Sequence, residues 1–169
     1  MISVLCVNED SIYKTIPGVD AWDKVRNAYN FNGSNPVITH APCQQWSRLK
    51  YFAKPDELEK ELAWFCLEKV KANGGIFEHP ANSSFFKEAG IKPTISINQH
   101  WFGLEARKTT WLYFHDVKPF SFPLNFNAVT HAIKTGMGKK NGLKLMNKKR
   151  HSFTTLDFAM WMINCIECS

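Results

Sequence analysis

The sequence predicts a single-domain α/β protein, a three-layer sandwich in which helices cover both faces of a sheet. Three observations predict this class. The chain has 169 residues, the size of one domain, and its 44% hydrophobic content is enough for a core. Short apolar runs alternate with a long amphipathic stretch. A strand–helix–strand order between residues 37 and 78 predicts a parallel pair joined by a right-handed crossover. We find no repeat or composition shift, so residues 1–169 are taken as one domain.

The first third of the chain predicts two strands and a short helix. Residues 2–7 form an apolar run typical of a buried strand, and Pro17-Gly18 marks a turn. Residues 19–28 predict a short helix, because helical spacing relates Val19, Trp22 and Val25. Residues 37–41 predict the second strand, which Pro42 stops.

The clearest helix begins at Pro55, since proline suits the first helical position and acidic residues suit the first turn. Its apolar stripe consists of Leu58, Leu62, Phe65, Cys66 and Val70. Residues 73–75, Asn-Gly-Gly, end this helix. Residues 76–78 then predict a third strand, which His79-Pro80 stops.

The second half predicts a short helix at 84–89, an extended segment at 94–102 and a strand at 109–114. Residues 134–150 carry seven Lys or Arg, three glycines and no acid, which predicts a mobile basic segment. Thr154 or Thr155 caps a last helix. The residues of that helix that we expect to face the core are Leu156, Ala159, Met160 and Ile163.

Charge and cysteine content narrow the functional classes. The net charge of +6 favours nucleic acid or phosphate as a partner, although many basic proteins have neither. Five scattered cysteines argue against a disulfide framework and for a reducing compartment. No apolar run reaches the roughly 18 residues of a membrane span, and no signal-peptide pattern begins the chain. We therefore expect a cytoplasmic protein without a membrane partner.

Reactive residues follow two strands of the predicted sheet. In open parallel sheets, ligands bind beyond the carboxyl ends of strands, so Cys43 and Glu78 are expected to share one pocket. A thiolate beside an acid suits covalent catalysis with proton transfer. The alternatives are a small buried cysteine and a surface acid at a strand end. His79 is interpreted as a loop residue in preference to a ligand or a base.

These motifs resemble a known family. Pro42-Cys43-Gln44 followed by Glu78-x-Pro80 is similar to the proline–cysteine and glutamate motifs of DNA cytosine-5 methyltransferases, and residues 102–112 are similar to that family's later segment. The resemblance implies a reduced Rossmann-like methyltransferase-type sheet. It also implies that Cys43 adds to C6 of a pyrimidine, that Glu78 hydrogen-bonds N3 of the flipped base, and that Arg107 helps to hold the base. Further substrate contacts are expected from Pro42, Gln44, Trp46, Arg48, His79, Pro80 and Asn82.

The family also implies S-adenosylmethionine as cofactor, but the glycine-rich loop that holds it is absent after the first strand, where residues 8–11 read Asn-Glu-Asp-Ser. The chain has His79 where the family has asparagine, and no large target-recognition region. The motif pairing also resembles that of small phage or prophage proteins, whose location would be the host cytoplasm. Two hypotheses follow. The first is a pyrimidine C5 methyltransferase-like transferase acting on DNA or a nucleotide; the alternative is a non-catalytic nucleic-acid or nucleotide-binding protein that retains the base pocket.

Metal binding, phosphate binding and base stacking are three further possible functions of residues in this chain. A zinc deaminase needs a second cysteine three residues after the first, where this chain has Trp46, and the six histidines show no metal-ligand spacing, so no metal is expected. Lys139, Lys140, Lys148 and Lys149 are expected to contact phosphates, with a solvated loop as the equal alternative. A solvated helix face is favoured over a phosphate site for Asp20, Asp23 and Arg26. Stacking surfaces or core positions are the alternatives for Trp46, Trp101 and Trp111.

Overall fold

A computed structural model of the chain describes residues 1–46, 56–122, 128–133 and 142–169. Its main sheet has six strands in the order β2-β1-β3-β4-β6-β5. The strands are β1 Ile2–Val7, β2 Val19–Asp23, β3 Val37–His40, β4 Gly75–Pro80, β5 Ile95–Asn98 and β6 Thr109–His115. A small second sheet pairs β7 His131–Ala132 with β8 Lys144–Leu145. The helices are α1 Glu57–Asn73, α2 Ser84–Glu88, α3 Lys148–His151 and α4 Leu156–Glu167.

The main sheet buries apolar side chains on both faces. Alternate residues of a strand point to opposite faces, so Val4 and Ile38 pack with α4 whereas Leu5 and Val37 pack with α1. The α/β class is therefore confirmed, and the layers are compatible with a three-layer sandwich.

The predicted strand–helix–strand unit is present as β3-α1-β4, and β3 and β4 pair in parallel. The helix begins at Glu57, with the Asp56 side chain accepting a hydrogen bond from the Glu59 amide at 3.1 Å. Pro55, the predicted first residue, lies outside the described residues. Leu58 of the predicted stripe is exposed, because the buried face begins one turn later at Ala63.

The sheet is mixed. β6 runs antiparallel to β4 on one side and to β5 on the other. The strand predicted at 109–114 is confirmed. The segment predicted as extended at 94–102 is β5 followed by a 3-10 helix at Gln99–Phe102.

The helix predicted at 19–28 is wrong. Residues 19–23 form β2, which pairs in parallel with β1. The apolar spacing that suggested a helix leaves Val25 exposed beyond the end of the strand. Pairing with the edge of β1 outweighs the weak local helical pattern, as tertiary context often does.

The last helix is confirmed, but only two of its four predicted core residues are buried. Thr155 caps α4 through the Phe158 amide, and Ala159 and Ile163 are buried. Leu156 and Met160 are exposed, because the helix turns Phe158 and its neighbours toward the sheet instead.

The predicted mobile segment 134–150 is described only from residue 142. That part contains β8 and the start of α3, and Met146 in it is buried against Leu104 and Ala106. Across the described ranges, no helix is both long and apolar enough to cross a membrane.

Candidate functional site

A cavity of about 280 Å³ opens at the carboxyl ends of β1, β3 and β4. Both predicted catalytic residues, Cys43 and Glu78, line it. This is the position in which open parallel sheets bind ligands. Other residues that line the cavity include Cys6, Asn8, His40, Gln99, Lys108 and Ser152.

Glu78 is held by side chains on both of its oxygens. Oε2 lies 3.1 Å from Nδ1 of His40, its register partner on β3. Oε1 lies 3.4 Å from Nε2 of Gln99, which also donates to the Thr110 hydroxyl at 2.9 Å. Glu78 is only 8% exposed, so these donors replace most of the water around the carboxylate.

The hydrogen-bond chain continues beyond His40 to a buried tyrosine. Nε2 of His40 lies 3.1 Å from the Tyr13 hydroxyl. Burial raises the pKa of Tyr13 well above its ordinary value, and the nearby Glu78 charge adds to this effect. The phenol therefore keeps its proton at neutral pH. If its O–H hydrogen-bonds to Nε2 of His40, the ring carries its hydrogen on Nδ1 and donates from there to Glu78.

The Glu78 carboxyl is ionised at neutral pH. Burial raises its pKa, but the His40 hydrogen bond and the Lys108 charge together outweigh burial, and the pKa falls to about 2. Glu78 is consequently an acceptor of hydrogen bonds at neutral pH and not a proton donor.

Cys43 is largely protonated at neutral pH. Burial, and to a smaller degree the Glu78 charge, raise the pKa of its thiol to about 11, although the Lys108 charge lowers it. A neutral thiol is a weak nucleophile. This environment argues against a strongly activated thiolate at Cys43.

The basic residue at the cavity is Lys108 and not the predicted Arg107. Arg107 is exposed and does not line the cavity, whereas the adjacent Lys108 does. Successive residues of extended chain point in opposite directions, so only one of the two reaches the cavity. Its charge lowers the pKa of Glu78 and of Cys43.

His79 belongs to β4 and is fully buried, so the interpretation as a loop residue is wrong. Its Nε2 donates to the Pro42 carbonyl at 3.1 Å, and its Nδ1 accepts from the Ser83 hydroxyl at 2.7 Å. Burial lowers the pKa of His79, which keeps the ring neutral. His79 therefore ties the Cys43 loop to β4 and does not line the cavity.

The other predicted contact residues divide into two groups. Pro42 and Gln44 line the cavity. Trp46 does not, because it is buried between Trp64 and Phe85. Two further members are also absent from the lining: Pro80 ends β4, and Asn82 is an exposed turn residue with φ 63°. Arg48 lies outside the described residues.

Sequence reasoning missed one wall of the cavity, which comes from residues 152–154. The Asn8 side chain donates to the Ser152 carbonyl at 3.1 Å, and Lys149 pairs with Asp10 at 2.7 Å. These contacts join segments that are far apart in the chain, so no local sequence pattern predicts them. His40 was the one missed residue with a signal, since it stands at a strand end directly before the Pro42-Cys43 motif.

The remaining predicted residues whose side chains the structure describes do not line the cavity. Of the predicted phosphate-binding lysines, Lys149 is exposed apart from its ion pair, and Lys139 and Lys140 lie outside the described residues. Lys148 begins α3. Asp20 pairs with Arg26, which stacks on Trp22, and Asp23 pairs with Lys14. Trp111 is partly buried against Phe86, whereas Trp101 is at the surface.

Among the described residues, no group of three or more His, Cys, Asp or Glu side chains is arranged to hold a metal ion. No protein-family model, curated protein or solved structure matches the chain.

Proposed function

We propose that the chain is an enzyme that acts on a pyrimidine base, in DNA or as a nucleotide, by covalent addition of Cys43. The observation that carries the proposal is that Cys43 and Glu78 line one cavity at the ends of two adjacent parallel strands. The motif resemblance to DNA cytosine-5 methyltransferases gives these two residues their roles, and a mixed sheet with helices on both faces is compatible with a Rossmann-like methyltransferase shape.

The proposed step is addition of the Cys43 sulfur to C6 of the ring. The thiol first loses its proton to solvent. The sulfur lone pair then forms the S–C6 bond, and the C5–C6 π electrons move to C5, which takes up a proton from solvent. The ionised Glu78 accepts a hydrogen bond from N3–H or from an exocyclic amino group and holds the ring in place. Lys108 favours the thiolate, because its charge lowers the pKa of Cys43.

The cavity suits a single extruded base. Its volume of about 280 Å³ admits one pyrimidine ring with part of its sugar, and excludes a stacked duplex. Enzymes that act on a base within a duplex must first take that base out of the stack. A single-stranded or free nucleotide substrate avoids that cost.

The residues after β1 do not fit the glycine-rich turn through which the family holds S-adenosylmethionine. Asn8 and Ser11 stand there, Asn8 is bonded to Ser152, and Ser11 caps a 3-10 helix at Ile12–Thr15. Neither residue is a glycine, so side chains stand where the family's turn brings bare backbone close to the cofactor. We therefore propose no step through that cofactor, and we expect the isolated chain to bind it weakly or not at all.

The test is covalent trapping with a base whose C6 is more electrophilic than that of cytosine. A single-stranded oligonucleotide containing one 5-fluorouracil keeps an N3–H for Glu78, and its fluorine withdraws electrons from the C5–C6 bond. Intact-mass measurement is expected to find chain and oligonucleotide joined, at a rate that rises with pH toward the Cys43 pKa of about 11. Cys43→Ser should abolish the adduct, and Cys168→Ser, at an exposed cysteine, should leave it unchanged. An adduct that persists in Cys43→Ser would refute the proposal.

The second candidate is a binding protein without catalysis, and the raised pKa of Cys43 favours it. Fluorescence anisotropy with the same oligonucleotide distinguishes the two. Equal affinity of the wild-type chain and Cys43→Ser, together with no adduct from either, would select the binding function.

A further inference from the structure

Two thiols that the proposed reaction does not use lie side by side. The Sγ atoms of Cys6 and Cys66 are 3.5 Å apart, and both cysteines are free. Cys6 belongs to β1 and Cys66 to α1, so sixty positions of sequence separate them.

An irregularity in β1 brings the pair together. The register of β1 against β2 shifts between Leu5 and Val7, and Cys6 has a φ of 63°. In a regular strand, Leu5 and Cys6 would point to opposite faces. Here both pack with the cluster around α1, because the bulge turns Cys6 toward the helix.

The two thiols differ in their surroundings. Cys66 is fully buried, whereas Cys6 is partly exposed and lines the cavity. The hydrogen bond with Cys6, followed by burial, raises the pKa of Cys66 well above its ordinary value. Cys66 therefore keeps its proton at neutral pH. A reagent that enters the cavity can therefore reach Cys6 but not Cys66 directly.

We propose that Cys6 and Cys66 form a redox-active dithiol that low-molecular-weight disulfides oxidise to an intramolecular disulfide. The Cys6 thiolate attacks one sulfur of the reagent, whose S–S bond breaks and releases one thiolate. Cys66 then loses its proton and attacks the Cys6 sulfur of the mixed disulfide, which releases the second thiolate. The protein loses two electrons and two protons, and the reagent becomes two thiols.

The experiment exposes the reduced full-length chain to bis(2-hydroxyethyl) disulfide and 2-mercaptoethanol at graded ratios. Remaining thiols are blocked with N-ethylmaleimide, and the chain is analysed by intact mass and peptide mapping. The expected product lacks two hydrogen atoms and contains a Cys6–Cys66 cross-linked peptide. It should form at ratios at which the exposed Cys168 is still a free thiol.

Variants separate the two steps. Cys66→Ser should stop at a mercaptoethanol adduct on Cys6, and Cys168→Ser should form the disulfide as the wild-type chain does. A stable mixed disulfide on wild-type Cys6, or a cross-link that appears only in urea, would overturn the proposal. The wild-type mapping decides the matter even if a variant fails to fold. None of these readouts depends on the proposed reaction at Cys43.

Discussion

At the scale of single residues, Glu78 shows how neighbours decide the state of a buried acid. Burial alone would favour its neutral form, yet His40 and Lys108 keep it charged. An ionised group whose pKa is lowered by folding stabilises the folded state at any pH above its ordinary pKa of 4.5. That contribution disappears as the pH falls from 4.5 to about 2.

Glu78→Gln should therefore weaken the acid dependence of stability. The lowered pKa of Glu78 corresponds to a loss of about 3 kcal/mol in the free energy of unfolding between neutral pH and pH 2. Urea unfolding at pH 7, 4 and 3 measures it. The wild-type chain should lose more free energy of unfolding on acidification than Glu78→Gln, whereas the exposed Glu88→Gln should behave as wild type. Parallel pH profiles for wild type and Glu78→Gln would show that Glu78 is not ionised in the folded chain.

Lys108 should control the reactivity of Cys43. Its charge lowers the pKa of that thiol, so Lys108→Met should slow iodoacetamide alkylation of Cys43 by about threefold or more. Arg107→Met is the matched control, since it removes a neighbouring charge that does not line the cavity. Peptide mapping after limited labelling reads the rates, and exposed Cys168 should react before Cys43 at neutral pH. Equal slowing in both variants would mean that net charge alone matters.

The sequence predicted the two central residues of the site but not their supports. Cys43 and Glu78 follow strands joined by one helix, and that short-range relation places them at one sheet edge. Tyr13 and Gln99 reach Glu78 through packing between distant segments, which no spacing rule encodes. The motif resemblance implies Arg107 as the basic residue of the pocket, but the adjacent Lys108 lines the cavity instead. A resemblance between motifs does not show which of two successive side chains faces the cavity.

At the scale of elements, the best predictions were those in which local signals and tertiary packing agree. Helix α1 has a cap, a buried stripe and a glycine end, and β6 has β-branched and aromatic residues throughout. The prediction for residues 19–23 is wrong because the local and tertiary signals conflict. Local apolar spacing favours a helix, whereas pairing with the edge of β1 favours a strand. Contacts between distant segments cannot be read from one local window.

Gly75 should be the least replaceable glycine of the described chain. It starts β4 with a φ of 133°, and a Cβ there would lie only 1.9 Å from the Val37 carbonyl oxygen of β3. Gly75→Ala should lower the free energy of unfolding by more than about 3 kcal/mol, since two paired strands must separate. Gly90 also has a positive φ, of 64°, but a Cβ there would meet nothing within 4 Å, so Gly90→Ala should cost roughly 1 kcal/mol. Urea denaturation measures the free energy of unfolding of both variants. Similar losses in the two variants would mean that β4 moves away from β3 at little cost.

At the scale of the whole molecule, the net charge of +6 is distributed unevenly. Residues 134–150 hold seven basic residues, and the described part is tied to the domain by Lys149–Asp10 and Arg150–Glu105 ion pairs. Exposed pairs of this kind contribute little to stability, so phosphates can compete for the same cations.

Replacing Lys139, Lys140, Lys148 and Lys149 by glutamine should weaken binding to single-stranded DNA and flatten its salt dependence, because fewer counterions are released. The Tm should change little. Fluorescence anisotropy at several salt concentrations and a thermal melt measure the two effects. The matched control replaces four lysines elsewhere, Lys24, Lys71, Lys87 and Lys92. A lowered Tm with unchanged DNA binding would mean that the segment packs on the domain and has no part in binding.

The Asn8–Ser152 hydrogen bond has a consequence for how the site arises during synthesis. The cavity walls come from residues 6–11, 40–44, 59, 78, 99, 108 and 152–154, which leave the ribosome in that order. A nascent chain can form the β1-β3-β4 edge long before its last wall exists. Until residues 152–154 emerge, the buried Glu78 and Cys43 face open solvent on one side. Ligand binding is therefore expected to begin only after translation has passed residue 154, however early the sheet itself has folded.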